Sequence, residues 1–410
     1  MIPQSTFMVL APIAPGREDD LRALLAGMTT GGGVADPENA LVPFGRFDRL
    51  HFARFVIVEA RNAGDVAAYH MPEEPWPPSL AFLGDCDGPA DTFLAELARR
   101  AGEGLRRIFS HCAGFAPGTD LLLWMARRER RPAATYVNRI GRTVRQVREE
   151  HALHRALRDH LDRAPDGDET PLALSRRLQE LVTGERRAGR LVLSAPASTP
   201  TGWRVRDAAD LVAFPLALAA LAPALALASP LLALRLRQHE VQDPVIDGRA
   251  DPARVRELSQ LEDHDVTNQF TVFGQVKPGR FRRHTLSALL RLLDWSMRHV
   301  YGRRGNLARV QSIHAARWVL LDDKRRLLFA SNYDGSVESY MDDFINKVAW
   351  GINLVFGNGM SYPPTEWLVR GGAKDERRYK RTLRRHQIPT DVWYNAHPGL
   401  TVVDLARNTR

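Results

Sequence analysis

At 410 residues the chain is longer than one ordinary hydrophobic core organises, so two domains plus a connecting part are expected. An apolar content of 44% beside 26% charged residues excludes wholesale disorder, and two cysteines exclude a disulfide framework and point to a reducing, cytoplasmic compartment. The net charge of +9 favours anionic partners such as a phospholipid surface, or is simply a solvated arginine-rich exterior.

The chain opens on an apolar run, 7–13, with no basic stretch before it and Arg17-Glu18-Asp19-Asp20 after it, which predicts a strand rather than a signal peptide. Pro15-Gly16 ends the run, and Leu21, Leu24 and Leu25 set a helical period. A second strand is expected around Leu50-His51-Phe52-Ala53-Arg54-Phe55-Val56 and a third at 80–83, closing on Gly84-Asp85-Cys86-Asp87-Gly88. A helix over 90–109 follows, and a fourth strand is expected at 121–126.

Residues 146–268 begin as charged, helix-patterned sequence through Arg187 and then enter 211–234, which is 24 residues without a charge. That length suits a membrane-spanning helix, but Pro215, Pro223 and Pro230 are expected to break or kink it. A monotopic membrane contact, a buried helical hairpin and a true span all remain open. Trp203, Arg204 and Arg206 before the segment, with Arg235 and Arg237 after it, suit headgroup-level anchoring.

The remainder repeats the beginning. Ile313-His314-Ala315-Ala316-Arg317-Trp318-Val319 echoes the segment around His51 at an offset of 263 residues, which also pairs Phe7 with Phe270 and Pro15-Gly16 with Pro278-Gly279. At an offset of 247 Asp87-Gly88 pairs with Asp334-Gly335, the difference of 16 residues implying an insertion in the first copy that fits the Pro-rich stretch 71–78. Tyr136, Gly141 and Thr143-Val144 pair with Tyr394, Gly399 and Thr401-Val402 at 258. Collinear matches over three blocks indicate a tandem duplication. The last strand of this copy is expected at 367–369.

The fold expected is α+β: two tandem duplicated ferredoxin-like (βαββαβ) units, 1–145 and 269–410, pairing as a fused dimeric α+β barrel, with a helical connector 146–268 containing the apolar segment. A soluble body held on the inner face of the cell membrane is the corresponding expectation for location.

Candidate chemistry gathers at few places. His51 and His314 hold equivalent strand positions, each with an arginine three residues on; strand alternation sends the two side chains to opposite faces. They are either acid–base or iron-binding groups, or histidines that the fold itself requires in each copy. Asp87-Gly88 and Asp334-Gly335 are turn and cap signals as they stand. Tyr333, Tyr340, Trp393, Tyr394 and His397 make the second copy richer in aromatic and polar groups, as a substrate pocket or as core. His151 and His154 share a helical face, and Lys374–Arg385 is strongly basic; both fit a solvated surface, the latter also anionic lipid. No phosphate-loop, dinucleotide, nucleophile-elbow, HExxH or CxxC motif occurs, and the aromatic strands of RNA-binding ferredoxin-like sheets are missing, so nucleic acid is not expected as a partner.

Gly84-Asp85-Cys86-Asp87-Gly88 resembles the GxxDG of dye-decolourising haem peroxidases, which are also built from two ferredoxin-like halves. The resemblance implies a haem cofactor, with Asp87 or Asp334 assisting peroxide cleavage, His314 or His51 binding iron, and Arg317 beside them. The activity implied is a peroxidase-type oxidoreductase acting on an apolar or lipid-like substrate. A non-haem enzyme of the same architecture and a non-catalytic lipid-binding protein are the alternatives.

Overall fold

The computed structural model describes residues 2–60, 63–138, 140–163, 169–301, 307 and 309–409. The first part supplies strands β1 (Gln4–Pro12), β2 (Leu50–Val58), β3 (Ser79–Asp87) and β4 (Ala134–Val137). Its helices are α1 (Glu18–Ala26), α2 (Ala90–Arg100), α3 (Gly102–Phe109) and α4 (Leu121–Arg128). The connector forms α5 (Val144–Asp162), α6 (Pro171–Arg187) and α7 (Thr201–Gln242). The last part supplies β5 (Thr267–Gln275), α8 (Arg280–Ser296), β6 (Ile313–Leu321), β7 (Arg326–Asp334), α9 (Val337–Phe356), α10 (Glu376–His386), β8 (Val392–Asn395) and α11 (Val402–Asn408). The protein is α+β, with one mixed and one antiparallel main sheet.

Local chemistry explains most of these boundaries. Gly16 and Gly279 adopt φ of 73° and 97°, a region open to glycine, so each Pro-Gly turns the chain from strand to helix. Thr143 and Thr401 each close a capping box, with Gln146 and Asp404, at the starts of α5 and α11.

The fourth strands differ from expectation in both place and partner. Residues 121–126 lie in helix α4, capped by Asp120, and Trp367 and Leu368 form a left-handed turn between the short strands Thr365–Glu366 and Arg370–Gly371. The fourth strands are β4 and β8, and they are exchanged. β4 pairs with β6 of the last part, Tyr136 opposite Ala316, while β8 pairs with β2 of the first, Tyr394 opposite Ala53. The main orders are therefore β1-β3-β2-β8, continued by residues 34–35 and 29–31, and β4-β6-β7-β5. Each exchanged tyrosine enters the other half's core, Tyr136 beside Phe270 and Leu286, Tyr394 beside Phe44 and Phe55.

Each sheet carries helices on one face and meets the other sheet on its second face. There Met8, Leu10, Val56 and Leu83 pack with Phe273, Val319, Leu321 and Leu328. The insertion at 71–78 reaches across as well: Trp76 lies on Phe273, and the Glu74 carbonyl accepts from Arg326.

Helix α7 is one continuous helix of 42 residues, about 63 Å long at 1.5 Å per residue, with all three prolines inside it. No hairpin forms, and the apolar stretch is not buried: Leu216, Leu227 and Leu231 stand in solvent, Leu227 at 86%. Both ends of α7 meet the same body. Near its start the Asp210 carbonyl accepts from Trp295 Nε1 at 3.2 Å and Phe214 stacks on Trp295. Near its end Glu240 accepts from Thr365 Oγ1 and from the backbone N–H groups of Trp367 and Leu368.

Candidate active site

The two strand histidines lie at matching positions with matching partners. His51 Nε2 is 3.0 Å from Asp87 Oδ1, and His314 Nε2 is 2.6 Å from Asp334 Oδ1. The second oxygen of each aspartate accepts the first helical N–H of a following helix, Val144 in α5 and Val402 in α11. Each Asp-Gly is thus a turn and a remote helix cap that also orients a histidine. The first glycine of Gly84–Gly88 has a packing reason: a Cβ at Gly84 would meet the Phe7 ring and the Phe52 carbonyl inside 3.0 Å. Ser331 holds that position in the other half and bonds Tyr340 at 2.7 Å.

Contrary to the alternation expected, His51 and Arg54 share a face, as do His314 and Arg317. The register of β2 against β3 slips between Leu50 and Phe52, and that of β6 against β7 between Ile313 and Ala315. The extra residue in each strand carries the histidine back to the inter-sheet side. The arginines lie deeper and cross between the sheets. Arg317 donates to the carbonyls of Phe7 and Gly84 and to Asp85; Arg54 donates to the corresponding carbonyls of Phe270 and Ser331 and to Thr271 and Asn332. Burial, then the Arg317 charge, lowers Arg54 to about 9, still cationic at neutral pH. Arg317 is therefore a sheet-to-sheet tie, not a group beside the histidines.

The halves cease to match at His397. It follows β8, its Nε2 lies 3.1 Å from His51 Nδ1, and its ring packs edge-on to Phe52, which stacks on Trp393. The sequence has Arg139 at the corresponding place, outside the described residues. A carboxylate at Asp87 can only accept, so His51 donates through Nε2 and accepts at Nδ1 when neutral. His397 then donates through Nε2, which leaves the Nδ1 lone pair free, and that atom is buried with no hydrogen-bond partner. Burial, followed by the neighbouring His51 and His314, holds His397 well below the ordinary histidine range, so it is neutral near pH 7.

His51, His314 and His397 line one cavity of about 50 Å³ where the halves meet, with Asp85, Phe52 and Arg142. Val147 of α5 and Leu405 of α11, equivalent residues 258 apart, line it from both sides. Gln4 fixes its rim through the Gly141 N–H and the Arg142 carbonyl. Gln4, Phe52, Asp85 and Arg142 were not singled out from sequence, because no short motif contains them.

The other expected pocket residues lie elsewhere. Tyr333 and Tyr340 stack at 4.0 Å within the core of the last part, where burial raises both phenols. Tyr394 stacks on Phe44, and Trp393 lies under Arg54; both also line a separate crevice with His264. Burial pushes the Cys112 thiol up to about 12 and Cys86 higher still, which keeps both inert. The basic helix α10 spends charge on ion pairs, Lys380 with Asp342 and Arg384 with Glu262.

Neither cavity beside the histidine–aspartate pairs fits a haem among the described residues. A macrocycle needs roughly several hundred Å³, whereas the histidine cavity holds about 50 Å³. The crevice beside Asp87 is larger, about 930 Å³, but no histidine, cysteine, methionine or tyrosine lines it to bind iron. Among the described residues no group of His, Cys, Asp and Glu is placed to hold a metal ion.

No family model, curated protein or solved structure matches this chain.

Proposed function

We propose that the chain is a membrane-associated, non-haem enzyme built from two fused ferredoxin-like units by tandem duplication. Its acid–base group is His397, acting on an apolar or lipid-like substrate. The observation that carries this reading is the Asp87–His51–His397 chain, which ends in a bare, buried imidazole nitrogen on a cavity between the halves. His397 Nδ1 is the base; when it takes a proton, the His397 Nε2–H bond to His51 and the His51 bond to Asp87 stay in place. About 50 Å³ admits three or four waters, or the reacting end of a longer molecule.

The duplication is supported by contacts that recur at the same offsets. The Arg54 and Arg317 bonds, both Asp–His pairs, both capping boxes and the left-handed Gly16/Gly279 and Gly88/Gly335 pairs all do so. The resemblance to dye-decolourising peroxidases rests on the sequence Gly84–Gly88 and on the proposed two-unit plan, and it carries no haem site with it. Membrane contact is supported by α7. Each large apolar side chain left in water forgoes about 1.5–3 kcal/mol, and proline within a helix is tolerated in lipid. Since both ends of α7 meet one body, it lies along the surface of a bilayer rather than across about 30 Å of hydrocarbon.

Nitrogen-15 NMR of histidine-labelled protein at pH 7 tests the relay. The expected spectrum has His397 protonated at Nε2 and bare at Nδ1, and His51 protonated at Nε2. A His397 ring carrying its proton at Nδ1 would remove the base.

A further inference from the structure

The face of β6 opposite the histidines carries a second cavity. Ile313, Ala316 and Trp318 point away from the inter-sheet side toward α8 and α9, and with Phe329 they floor a space of about 160 Å³. Leu289 and Leu293 of α8 wall one side, Val348 and Ile352 of α9 the other. Its few polar groups include Ser296 and Tyr301, so water inside would lack the two to four partners that hold it in place. A dry apolar cavity of about 150 Å³ accepts a benzene-sized guest, which corresponds to about six carbon atoms.

The walls leave a way in. Helix α9 is kinked at Val348 (φ −144°, ψ 24°), which lines the cavity. Trp350 and Leu292 also line the cavity, yet they are 51% and 43% exposed, too wet for core residues and well placed as a mouth. Helical spacing puts Leu292 between the side of α8 that lines the cavity (Leu289, Leu293, Ser296) and the stripe of Phe281, Trp295 and His299 that meets α7. The mouth therefore opens on the flank where the exposed apolar helix runs.

We propose that this cavity between α8 and α9 binds the end of a single hydrocarbon chain, about six carbons deep, delivered along α7. The site is separate from the histidine cavity, lying across β6 from it. It rests on the membrane reading only for the source of the chain. A hydrocarbon fits better than a polar ligand, because among the described residues the lining offers dispersion contacts and scarcely a hydrogen bond.

The test uses the full chain and a fluorescent fatty acid, cis-parinarate, displaced by saturated carboxylates of increasing length. Affinity is expected to rise roughly fourfold per methylene and level off once about six carbons are buried. No parinarate binding, or a rise that continues unbroken to fourteen carbons as for adsorption on an open surface, overturns the proposal. Filling the cavity by Ala316→Leu or Leu293→Phe should weaken binding at least tenfold in protein whose circular dichroism matches the parent. Parent-like binding by either folded variant also overturns it. The chain-length series needs no variant, so it decides the matter even if both fail to fold. Leu216→Asn with Leu227→Asn, which removes apolar surface without changing the charge, should lose flotation with anionic vesicles and keep parinarate binding in solution. Failure of the parent protein to float would sink the membrane reading alone.

Discussion

At the scale of single residues, symmetry separates scaffold from site. His51 with Asp87 and His314 with Asp334 have the same partners in both halves, and Arg54 and Arg317 tie one sheet to the other's carbonyls. Among the described residues, only His397 adds a second imidazole to one of these pairs. The sequence marked His51, Asp87 and His397 as candidates but could not join them. They lie in separate stretches of chain, and the slip at Leu50–Phe52 that turns His51 inward leaves no trace in composition. His397 also makes stability depend on pH with a definite sign. It is held neutral in the folded protein well below its unfolded value of 6.5, so below pH 6.5 the unfolded chain binds a proton that the folded one refuses. Stability is therefore lost as pH falls, by up to about 1.4 kcal/mol per unit from this group. Urea midpoints at pH 7.5 and 5.5 should fall further for the parent than for His397→Gln. An identical fall in both would show that His397 is charged or exposed.

At the scale of elements, the long strands and their helices were legible because each carries its own pattern. β1, β2, β5 and β6 are apolar runs with β-branched and aromatic residues, and the helix expected over 90–109 forms as α2 and α3 with a break at Ala101. The fourth strands were not legible. β4 and β8 are four residues each, and what makes them strands is an edge supplied from the other end of the chain. The apolar run 121–126 is equally compatible with strand or helix by composition, and the Asp120 cap decides for helix. The three prolines misled in the same way: each lowers helix propensity, yet α7 continues through all of them. The exchange can be checked by crosslinking. Val137 of β4 and Ala315 of β6 are directly opposed, with Cβ atoms expected about 5 Å apart. Val137→Cys with Ala315→Cys should form a disulfide on mild oxidation, read by mass spectrometry of the peptides. Persistence of both thiols would place β4 elsewhere.

At the scale of the molecule, strand exchange makes the halves inseparable, and this creates the site. The cavity exists only where α5 and α11 follow the exchanged strands and bring Val147 and Leu405 together over the three histidines. Both ends of α7 meet the last part of the chain, at Trp295 and Thr365, and the apolar surface between them stays uncovered. The proposed acid–base group at His397 and the uncovered apolar surface of α7 suit a substrate drawn from a membrane. The most direct test is mass spectrometry of vesicles made from a total lipid extract and incubated with the parent protein or with His397→Gln. A product formed by the parent, and about 100-fold more slowly by the variant, is the expected result. Lipid profiles that the parent leaves unchanged, or that both proteins alter equally, would contradict it.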